Sequence, residues 1–282
     1  MPAHTLKQGS SRAIFIPARL ESTRLTRKML LPISPHGKPL ICVTAENTLR
    51  VNASADVYIL TDSDEIESAI HNYCNIIDPN NYVGIPFRIL STAPAPNGTA
   101  RSFDAIRQLA KQGKYYEHIA IVQGDVPNID PKVIPLLFSN SYRVTTLVTD
   151  LAKFTETSSH HRIHNLELHT ESVVKAIPAN PVSEVGQSAK IHYFTRSPVP
   201  YAMKHIGVYG LNGYRFIQDS IISHNFPFPM GSNCYIAEQE DLEQLNWINA
   251  GFTVTGIYVP RESAGTAIDT QADYDKFIAE QK

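Results

Sequence analysis

The segment Ile14 to Leu31, IFIPARLESTRLTRKMLL, places a polar, cationic stretch directly after an apolar run. Its polar members include closely spaced cations and hydroxyls: Arg19, Arg24, Arg27, Lys28, Ser22 and Thr23. The planar fork of arginine and the compact charge of lysine bind phosphate oxygens, and hydroxyls and loop amides add donors. The stretch therefore predicts a loop that binds a polyphosphate. Spacing alone leaves a solvated basic loop as the alternative.

Two common signatures of nucleotide-binding loops are missing from this segment. It contains no GxxxxGK[ST], and no GxGxxG follows the first apolar run. The missing GxGxxG disfavours an NAD-dependent oxidoreductase.

Two aspartates, each after an apolar run, are candidates to share a metal ion. Asp125 lies in VQGDVP, and Asp269 lies in GTAIDT before a predicted helix. Mg²⁺ prefers oxygen ligands and commonly bridges to substrate phosphates, so the pair predicts a magnesium site. A turn former or a helix N-cap is the alternative role of each carboxylate. Gly124 favours function for Asp125, because glycine lets the backbone approach a ligand closely.

Strands and helices alternate through the first half of the chain. The predicted strands are 12–16, 56–61, 117–123 and 143–149, and the predicted helices are 40–50, 65–73 with Asp62 as N-cap, 99–111 and 131–138. This alternation predicts an α/β fold with a mostly parallel sheet and helices on both faces. Such sheets bind ligands beyond the carboxyl ends of their strands. The cationic loop and Asp125 are therefore expected to line one crevice.

The second half is less regular. A polar segment, 153–165, precedes strands 172–178 and 188–195, which predict a hairpin. A strand turning into a helix near Gly213, a helix over 236–251, a strand over 252–259 and a helix over 270–280 follow. We interpret roughly 172–251 as an inserted lobe that completes the site and carries subunit contacts. The whole chain, 1–282, is expected to be one domain.

Composition excludes several classes of protein. The net charge is −2 and 43% of the 282 residues are hydrophobic, so a duplex nucleic acid partner is not expected. The N-terminal segment does not resemble a signal peptide, and no segment is apolar enough for membrane insertion.

Three scattered cysteines, Cys42, Cys74 and Cys234, predict buried thiols in a reducing cytoplasm. The tract SHHRIH, 159–164, is expected to be a polar loop rather than a metal site.

Seven segments occur in the order found in one enzyme family. They are IPARLESTRLTRKMLLPI with GKPLI, then NGTAR, VQGDVP, YFTRSPVPY, KHIGVYG, LEQL and AIDTQADYDKF. Together they resemble the CMP-Kdo synthetases (3-deoxy-manno-octulosonate cytidylyltransferases), which are kin of the CMP-sialic acid synthetases. The resemblance extends from about Ala13 to Phe277.

The resemblance implies transfer of CMP from CTP to the 2-hydroxyl of Kdo or a similar 2-keto-3-deoxy sugar acid, with release of pyrophosphate. It implies Mg²⁺ on Asp125 and Asp269. It implies these nucleotide contacts: Ala18, Arg19, Ser22, Thr23, Arg24, Lys28, Gly98 and Arg101. Arg19, Arg24, Lys28 and Asp125 would be catalytic. The acceptor pocket would contain Gln123, Arg196, His205, Tyr209, Glu243 and Gln244, with Arg196 on the acceptor carboxylate.

The resemblance also implies a Rossmann-like (GT-A-like) nucleotidyltransferase fold, a small dimerisation lobe and a cytoplasmic homodimer in envelope polysaccharide synthesis. Several positions depart from the family pattern: Thr26, Arg27, Ala95, Asn97, Val126 and Ala267. These departures leave the phosphate and metal positions unchanged but leave the acceptor open. The alternatives are a nonulosonic acid acceptor, such as a sialic or pseudaminic acid, and a non-catalytic nucleotide-sugar-binding protein.

Four of the residues that the resemblance places in the acceptor pocket could instead have a structural role. His205 and Tyr209 can be core residues, and Glu243 with Gln244 can form an exposed helix face.

Overall fold

The computed structural model describes residues 11–22, 24–34, 36–50, 54–77, 87–138, 144–151, 166–214, 216 and 234–281. Its strands are β1 (Arg12–Pro17), β2 (Asp56–Thr61), β3 (Arg88–Ser91), β4 (His118–Ile121), β5 (Val144–Thr149), β6 (Lys175–Pro178), β7 (Ser188–Thr195), β8 (Met203–Asn212) and β9 (Val254–Tyr258). Its α-helices are α1 (Leu40–Leu49), α2 (Asp64–Ile77), α3 (Gly98–Lys111), α4 (Tyr235–Glu240), α5 (Leu245–Asn249) and α6 (Gln271–Ala279). Short 3₁₀ helices cover Lys28–Leu30, Pro131–Leu137, Leu166–His169 and Arg261–Ser263.

The strands form one nine-stranded sheet in the order β3-β2-β1-β4-β8-β5-β9-β7-β6. The first four neighbours in this order are parallel, as predicted, so the carboxyl ends of β1 to β4 lie at one edge. We call this edge the site edge. β8 then runs antiparallel between β4 and β5, which places its amino end at the same edge. The sheet is therefore mixed: β1 to β4 and the pair β5–β9 are parallel, and the pairings of β6, β7 and β8 are antiparallel. The prediction of a mostly parallel sheet is confirmed only in part.

Strands β6, β7 and β8 lie in the segment predicted as an inserted lobe, but they belong to the same sheet. β6 pairs with β7, which confirms the predicted hairpin, and β6 also pairs with the amino end of β8. The pairings β8–β5–β9–β7–β6–β8 thus close a circuit of five strands. The role of this segment in subunit contacts stays a prediction.

Two differences from the predicted elements have a clear local cause. The helix predicted over 236–251 is two short helices, because Asp241 adopts a left-handed conformation with φ 52° that ends α4. At α2, the amide of Ile66 donates to Ser63 Oγ, so Ser63 rather than Asp62 supplies the cap. The strand β3 was not predicted, since residues 78–86 before it gave no clear pattern.

Aliphatic residues of the central strands fill both faces of the sheet. Ile14 and Ile16 pack in one cluster beneath α1 and α2, and Ala13 and Phe15 pack in another with α3. This alternation along β1 is what a strand covered on both faces requires. Among the residues described, no helix has the length and apolar character needed to cross a membrane.

Gly210 in β8 supports a stability prediction, because a Cβ built there would overlap Leu137 O and Thr145 Oγ1. We expect Gly210→Ala to lower the free energy of unfolding by about 3 kcal/mol or more. Gly251→Ala is the matched control, since Gly251 has a positive φ of 77° but open space around its Cα. It should cost about 1 kcal/mol. Urea unfolding followed by circular dichroism measures both, and an equal loss would contradict the packing argument.

Candidate active site

A buried lysine and two partly buried aspartates form a cluster at the site edge. Lys28 Nζ lies 2.5 Å from Asp125 Oδ2 and 2.8 Å from Asp269 Oδ1. Lys28 is only 7% exposed, although it carries a charge. A buried ammonium at these distances is held by both carboxylates at once, so the cluster is a single electrostatic unit.

The backbone brings these carboxylates together. Asp125 follows the carboxyl end of β4, and the amide of Ile268 donates to its carbonyl over 2.9 Å. A second link joins the same loops, from the amide of Thr266 to Asn128 Oδ1 over 2.8 Å. Gly265 makes this approach possible, because a side chain there would meet Val126 and the backbone of Ile129.

The alternative that Asp269 caps a helix was wrong. Thr270 caps α6 through a capping box with Asp273, which leaves the carboxylate of Asp269 directed at Lys28. Gly124 also has a different role from the one expected. A Cβ there would lie 3.0 Å from Pro17 O and 3.1 Å from Ile41 Cδ1, so its close approach is to the protein itself.

Charges in the cluster stabilise one another. Burial alone would lower the pKa of Lys28, but the carboxylates of Asp125 and Asp269 outweigh it, so the pKa is raised. Burial acts to raise the pKa of Asp269, and its hydrogen bond to Lys28 and the charge of Arg24 outweigh that effect, so the pKa is lowered. Both groups are therefore held in their charged forms.

The other cations of the loop lie around this cluster at the surface. Arg24 Nη2 lies 3.2 Å from Asp269 Oδ1, and both Arg24 and Arg19 are exposed. Arg27, in a left-handed conformation with φ 54°, pairs with Glu65 at the start of α2. Ser22 is partly buried, and Thr23 lies outside the described residues. The predicted polyphosphate loop thus keeps Arg19 and Arg24 accessible.

Three predicted nucleotide contacts are engaged within the protein. Arg101 is 3% exposed and bonds Asp62 Oδ2 at 2.9 Å and Thr92 Oγ1 at 2.7 Å. It therefore fastens α3 to the carboxyl ends of β2 and β3. The amide of Ala18 donates to Leu60 O, so it is used by the sheet. Gly98, the first residue of α3, packs against Pro17 in the same region.

Gln123, which follows β4, and Glu243 both lie near the amino end of α3. We call this part of the site edge, together with the cluster of Lys28, the crevice. Gln123 Nε2 donates to Gly207 O over 3.2 Å. Gly207 lies in a bulge of β8, with φ 81°, which turns its carbonyl towards Gln123. Thr99 Oγ1 donates to Glu243 Oε1 over 3.0 Å, next to the amino end of α3.

The exposed-face alternative for Glu243 and Gln244 was wrong, since Glu243 bonds Thr99 and Gln244 is buried. Burial raises the pKa of Glu243, while Thr99 and the charge of Arg19 act in the opposite direction. The sequence predictions missed Thr99, although its segment NGTAR was among the recognised motifs.

His205 and Tyr209 lie in β8, and both are buried. Thr146 Oγ1 donates to Val208 O at 2.6 Å, so it accepts from His205 Nε2 at 2.9 Å. Burial lowers the pKa of His205 to about 3, and burial raises the pKa of Tyr209 well above its ordinary value. Both side chains are therefore packed in the core, which was the alternative that the sequence left open. One ring nitrogen of His205 is used in its hydrogen bond to Thr146.

Arg196 follows the carboxyl end of β7 and is partly exposed. Its guanidinium donates to the backbone carbonyl of Glu171 over 3.0 Å and lies 3.9 Å from Asp241 Oδ2. Asp241 lies two residues before Glu243, so Arg196 lies at the rim of the same crevice.

The donor chemistry at the cluster suits a divalent cation. One ammonium nitrogen lies within 2.8 Å of oxygens from both Asp125 and Asp269, so a single cation can contact both carboxylates. Within the described residues, no group of three or more His, Cys, Asp or Glu can hold a metal ion. A magnesium ion on this pair would therefore need further oxygen ligands from substrate phosphates and water.

Comparison with known proteins decides the family. The model of the cytidylyltransferase family matches residues 13–252. The chain belongs to this family of cytidylyltransferases. It is therefore a nucleotidyltransferase enzyme, as the motifs predicted.

Relatives of this cytidylyltransferase are named 3-deoxy-manno-octulosonate cytidylyltransferase. The relative from Paramagnetospirillum magneticum is 29% identical over 272 residues, covering 93% of this chain and 94% of that protein. The relative from Chlorobium limicola is 28% identical over 277 residues, with 93% and 94% covered.

Solved structures support the same relationship. A CMP:2-keto-3-deoxy-manno-octonic acid synthetase complexed with CTP aligns with a TM-score of 0.68 at 26% identity, covering 95% of this chain and 97% of that chain. An inositol-1-phosphate CTP transferase from T. maritima has a TM-score of 0.58 at 13% identity, covers 98% of each chain, and shares the fold alone.

The buried His205 gives a pH prediction. Its pKa is about 3 in the folded protein and near 6.5 in the unfolded chain, so the unfolded state binds the proton first as the pH falls. Its stabilising contribution is complete above pH 6.5 and is lost towards pH 3. We expect wild type to lose up to about 1.4 kcal/mol per pH unit more than His205→Gln between pH 6 and 4. Urea unfolding across this range measures the slopes, and equal slopes would contradict the assignment.

Proposed function

We propose that this cytidylyltransferase is a Mg²⁺-dependent enzyme that transfers CMP from CTP to the anomeric hydroxyl of Kdo or a closely related 2-keto-3-deoxy sugar acid. The observation that carries the proposal is the cluster of Lys28, Asp125 and Asp269, which stands next to two accessible arginines at the end of β1. The names of the relatives and of the CTP-bound structure support the nucleotide and the acceptor.

The nucleotide would lie along the loop after β1. Arg19 and Arg24 are exposed there and present guanidinium forks to phosphate oxygens. Lys28 carries a charge at the base of the same loop, where it can neutralise the developing charge on the phosphates. Ser22, Thr23 and loop amides are the further donors in this assignment.

Asp125 and Asp269 are the residues that would hold Mg²⁺. When bound, such an ion supplies charge neutralisation for the triphosphate and orients its α-phosphate. The two carboxylates would hold the ion between their loops, which are joined by the bond from the amide of Ile268 to the carbonyl of Asp125.

The acceptor would lie between Gln123 and the Glu243 segment, with its carboxylate towards Arg196. Its hydroxyl oxygen forms a bond to the α-phosphorus, the bond from that phosphorus to the bridging oxygen breaks, and pyrophosphate leaves. The hydroxyl proton passes to solvent or to a nearby base. The protein contributes mainly by positioning the two substrates and neutralising charge.

Selection of cytosine is assigned to the backbone of β1 and its carboxyl end, and to the α3 segment that Arg101 fastens. Because Arg101 is paired with Asp62, its contribution is to position this segment. Comparable turnover of UTP would contradict this assignment. A homodimer and a place in cytoplasmic envelope polysaccharide synthesis are parts of the proposal that rest on the family resemblance.

The acceptor is tested by pyrophosphate release with CTP and Mg²⁺ against Kdo, 8-amino-Kdo, a sialic acid, a pseudaminic acid and no acceptor. We expect release with Kdo or its amino analogue alone. Release only with a nonulosonic acid would overturn the acceptor assignment but keep the enzyme class. CTP binding without release for any acceptor would favour a binding protein that has lost turnover.

The metal assignment is tested with Asp269→Asn, which keeps the size of the side chain but removes its charge. We expect kcat to fall about 10³-fold, equivalent to several kcal/mol of transition-state stabilisation. Asp275→Asn is the matched control, since Asp275 lies exposed on α6. Steady-state pyrophosphate release measures both variants. Near-wild-type turnover of Asp269→Asn in Mg²⁺ would remove this residue from the metal site.

A further inference from the structure

Lys175, at the start of β6, is a buried lysine like Lys28, but it has no assigned role. It is 0% exposed, and its ammonium donates to Thr170 O over 2.7 Å and to Arg196 O over 2.6 Å. Among the described residues, no carboxylate lies within ion-pair distance of it. Its partners are therefore backbone carbonyls, which satisfy hydrogen bonds but do not neutralise its charge.

Arg196 lies on the other side of the same turn. Its guanidinium donates to the carbonyls of Glu171 and Ser172, next to the Thr170 carbonyl that Lys175 holds. Its ion-pair partner is Asp241, at 3.9 Å, and that side chain is 98% exposed. An ion pair so exposed to water neutralises little charge. We call Lys175 and Arg196 together the cationic corner.

The nearest charges around Lys175 are of both signs. Burial and then the charge of Arg196 lower the pKa of Lys175, and the charges of Glu171 and Glu167, each a smaller effect, act in the opposite direction. Glu167 already pairs with Lys204 and Arg261, which draws its charge away from Lys175. An anion brought to the exposed side of the corner would therefore meet two under-neutralised cations.

The cationic corner adjoins the acceptor part of the crevice. Lys175 pairs in the sheet with Lys204, the neighbour of His205. Thr195, which precedes Arg196, donates to Glu240 at the end of α4. Asp241 then leads directly into the Glu243 segment that bonds Thr99. The corner is thus connected to β8 on one side, through Lys204, and to the Glu243 segment on the other, through Glu240 and Asp241.

We infer that Lys175 is a positioning residue for recognition of the acceptor's carboxylate. It holds the backbone carbonyl of Arg196, which fixes the guanidinium at the rim, and its buried charge makes the corner selective for an anion. Lys175 itself is enclosed and does not touch the acceptor. This inference rests on the proposed function, in which Arg196 binds the acceptor carboxylate.

The test compares Lys175→Met with wild type in steady-state pyrophosphate release, using Kdo and CTP. Methionine fills the buried space but removes the charge and the donors. We expect the KM for Kdo to rise about tenfold while the KM for CTP stays within about twofold. Lys190→Met, at an exposed position of β7, is the matched control and should change neither constant.

An unchanged KM for Kdo in Lys175→Met, with active wild type, would overturn the inference alone. An equal rise in both KM values would also overturn it, since that is the result of a merely structural role. If wild type released no pyrophosphate with any acceptor, the proposed function itself would fail, and the inference with it.

A double-variant cycle tests whether Lys175 acts through Arg196. Arg196→Ala alone should raise the KM for Kdo, and adding Lys175→Met should raise it less than about twofold further. A full tenfold rise in both backgrounds would overturn the positioning role. If the methionine variant does not fold, Lys175→Gln tests the charge alone, because it removes the charge and keeps a donor; an unchanged KM for Kdo would then overturn the role of the charge. Thermal unfolding of each variant establishes that it is folded before its kinetics are compared.

Discussion

The ammonium of Lys28, shared between the carboxylates of Asp125 and Asp269, is the interaction on which the site depends. It joins segments that are 97 and 241 residues apart along the chain. The two carboxylates match the charge of this buried lysine, so the cluster favours a structure in which the loops after β1 and β4 and the turn before α6 meet at one point. The parallel pairing of β1 with β4 provides that meeting point, because it places both carboxyl ends at the site edge.

The other wall of the crevice depends on β8. Because this strand runs antiparallel beside β4, its amino end lies at the site edge, where its bulge at Gly207 directs a carbonyl to Gln123. The Thr99–Glu243 bond then ties the amino end of α3 to the segment between α4 and α5. The side proposed for the phosphates is thus built from parallel strands, and the side proposed for the acceptor lies beside the antiparallel strand β8.

Local patterns predicted most of the elements around the phosphate side. The apolar runs of β1, β2 and β5 and the periodicity of α1 and α3 are strong signals that depend only on nearby residues. The positions of Lys28 and Asp125 followed from the rule that ligands bind at carboxyl ends of parallel strands. The carboxylate of Asp269 is not used to cap α6, because Thr270 and Asp273 form a capping box there, and these two residue types at this spacing are already visible in the sequence.

What the sequence did not predict depends on contacts between distant residues. The insertion of β8 between β4 and β5 is a non-local pairing, and no local pattern reports strand order. Arg101 was expected to contact the nucleotide because its segment NGTAR resembles the family motif, whereas its partner Asp62, 39 residues earlier, was predicted to cap a helix. Lys175 was not singled out at all, since a lone lysine in an alternating strand is ordinarily solvated. Its burial follows only from the closed circuit of β5 to β9.

The most direct test of the shared-carboxylate site is a count of bound Mn²⁺ by electron paramagnetic resonance, with Mn²⁺ in place of Mg²⁺ and CTP present. The account predicts that wild type holds Mn²⁺ together with CTP, and that the double variant Asp125→Asn, Asp269→Asn loses this binding while remaining folded. Undiminished Mn²⁺ binding by the double variant, beyond what CTP alone binds in solution, would contradict the account.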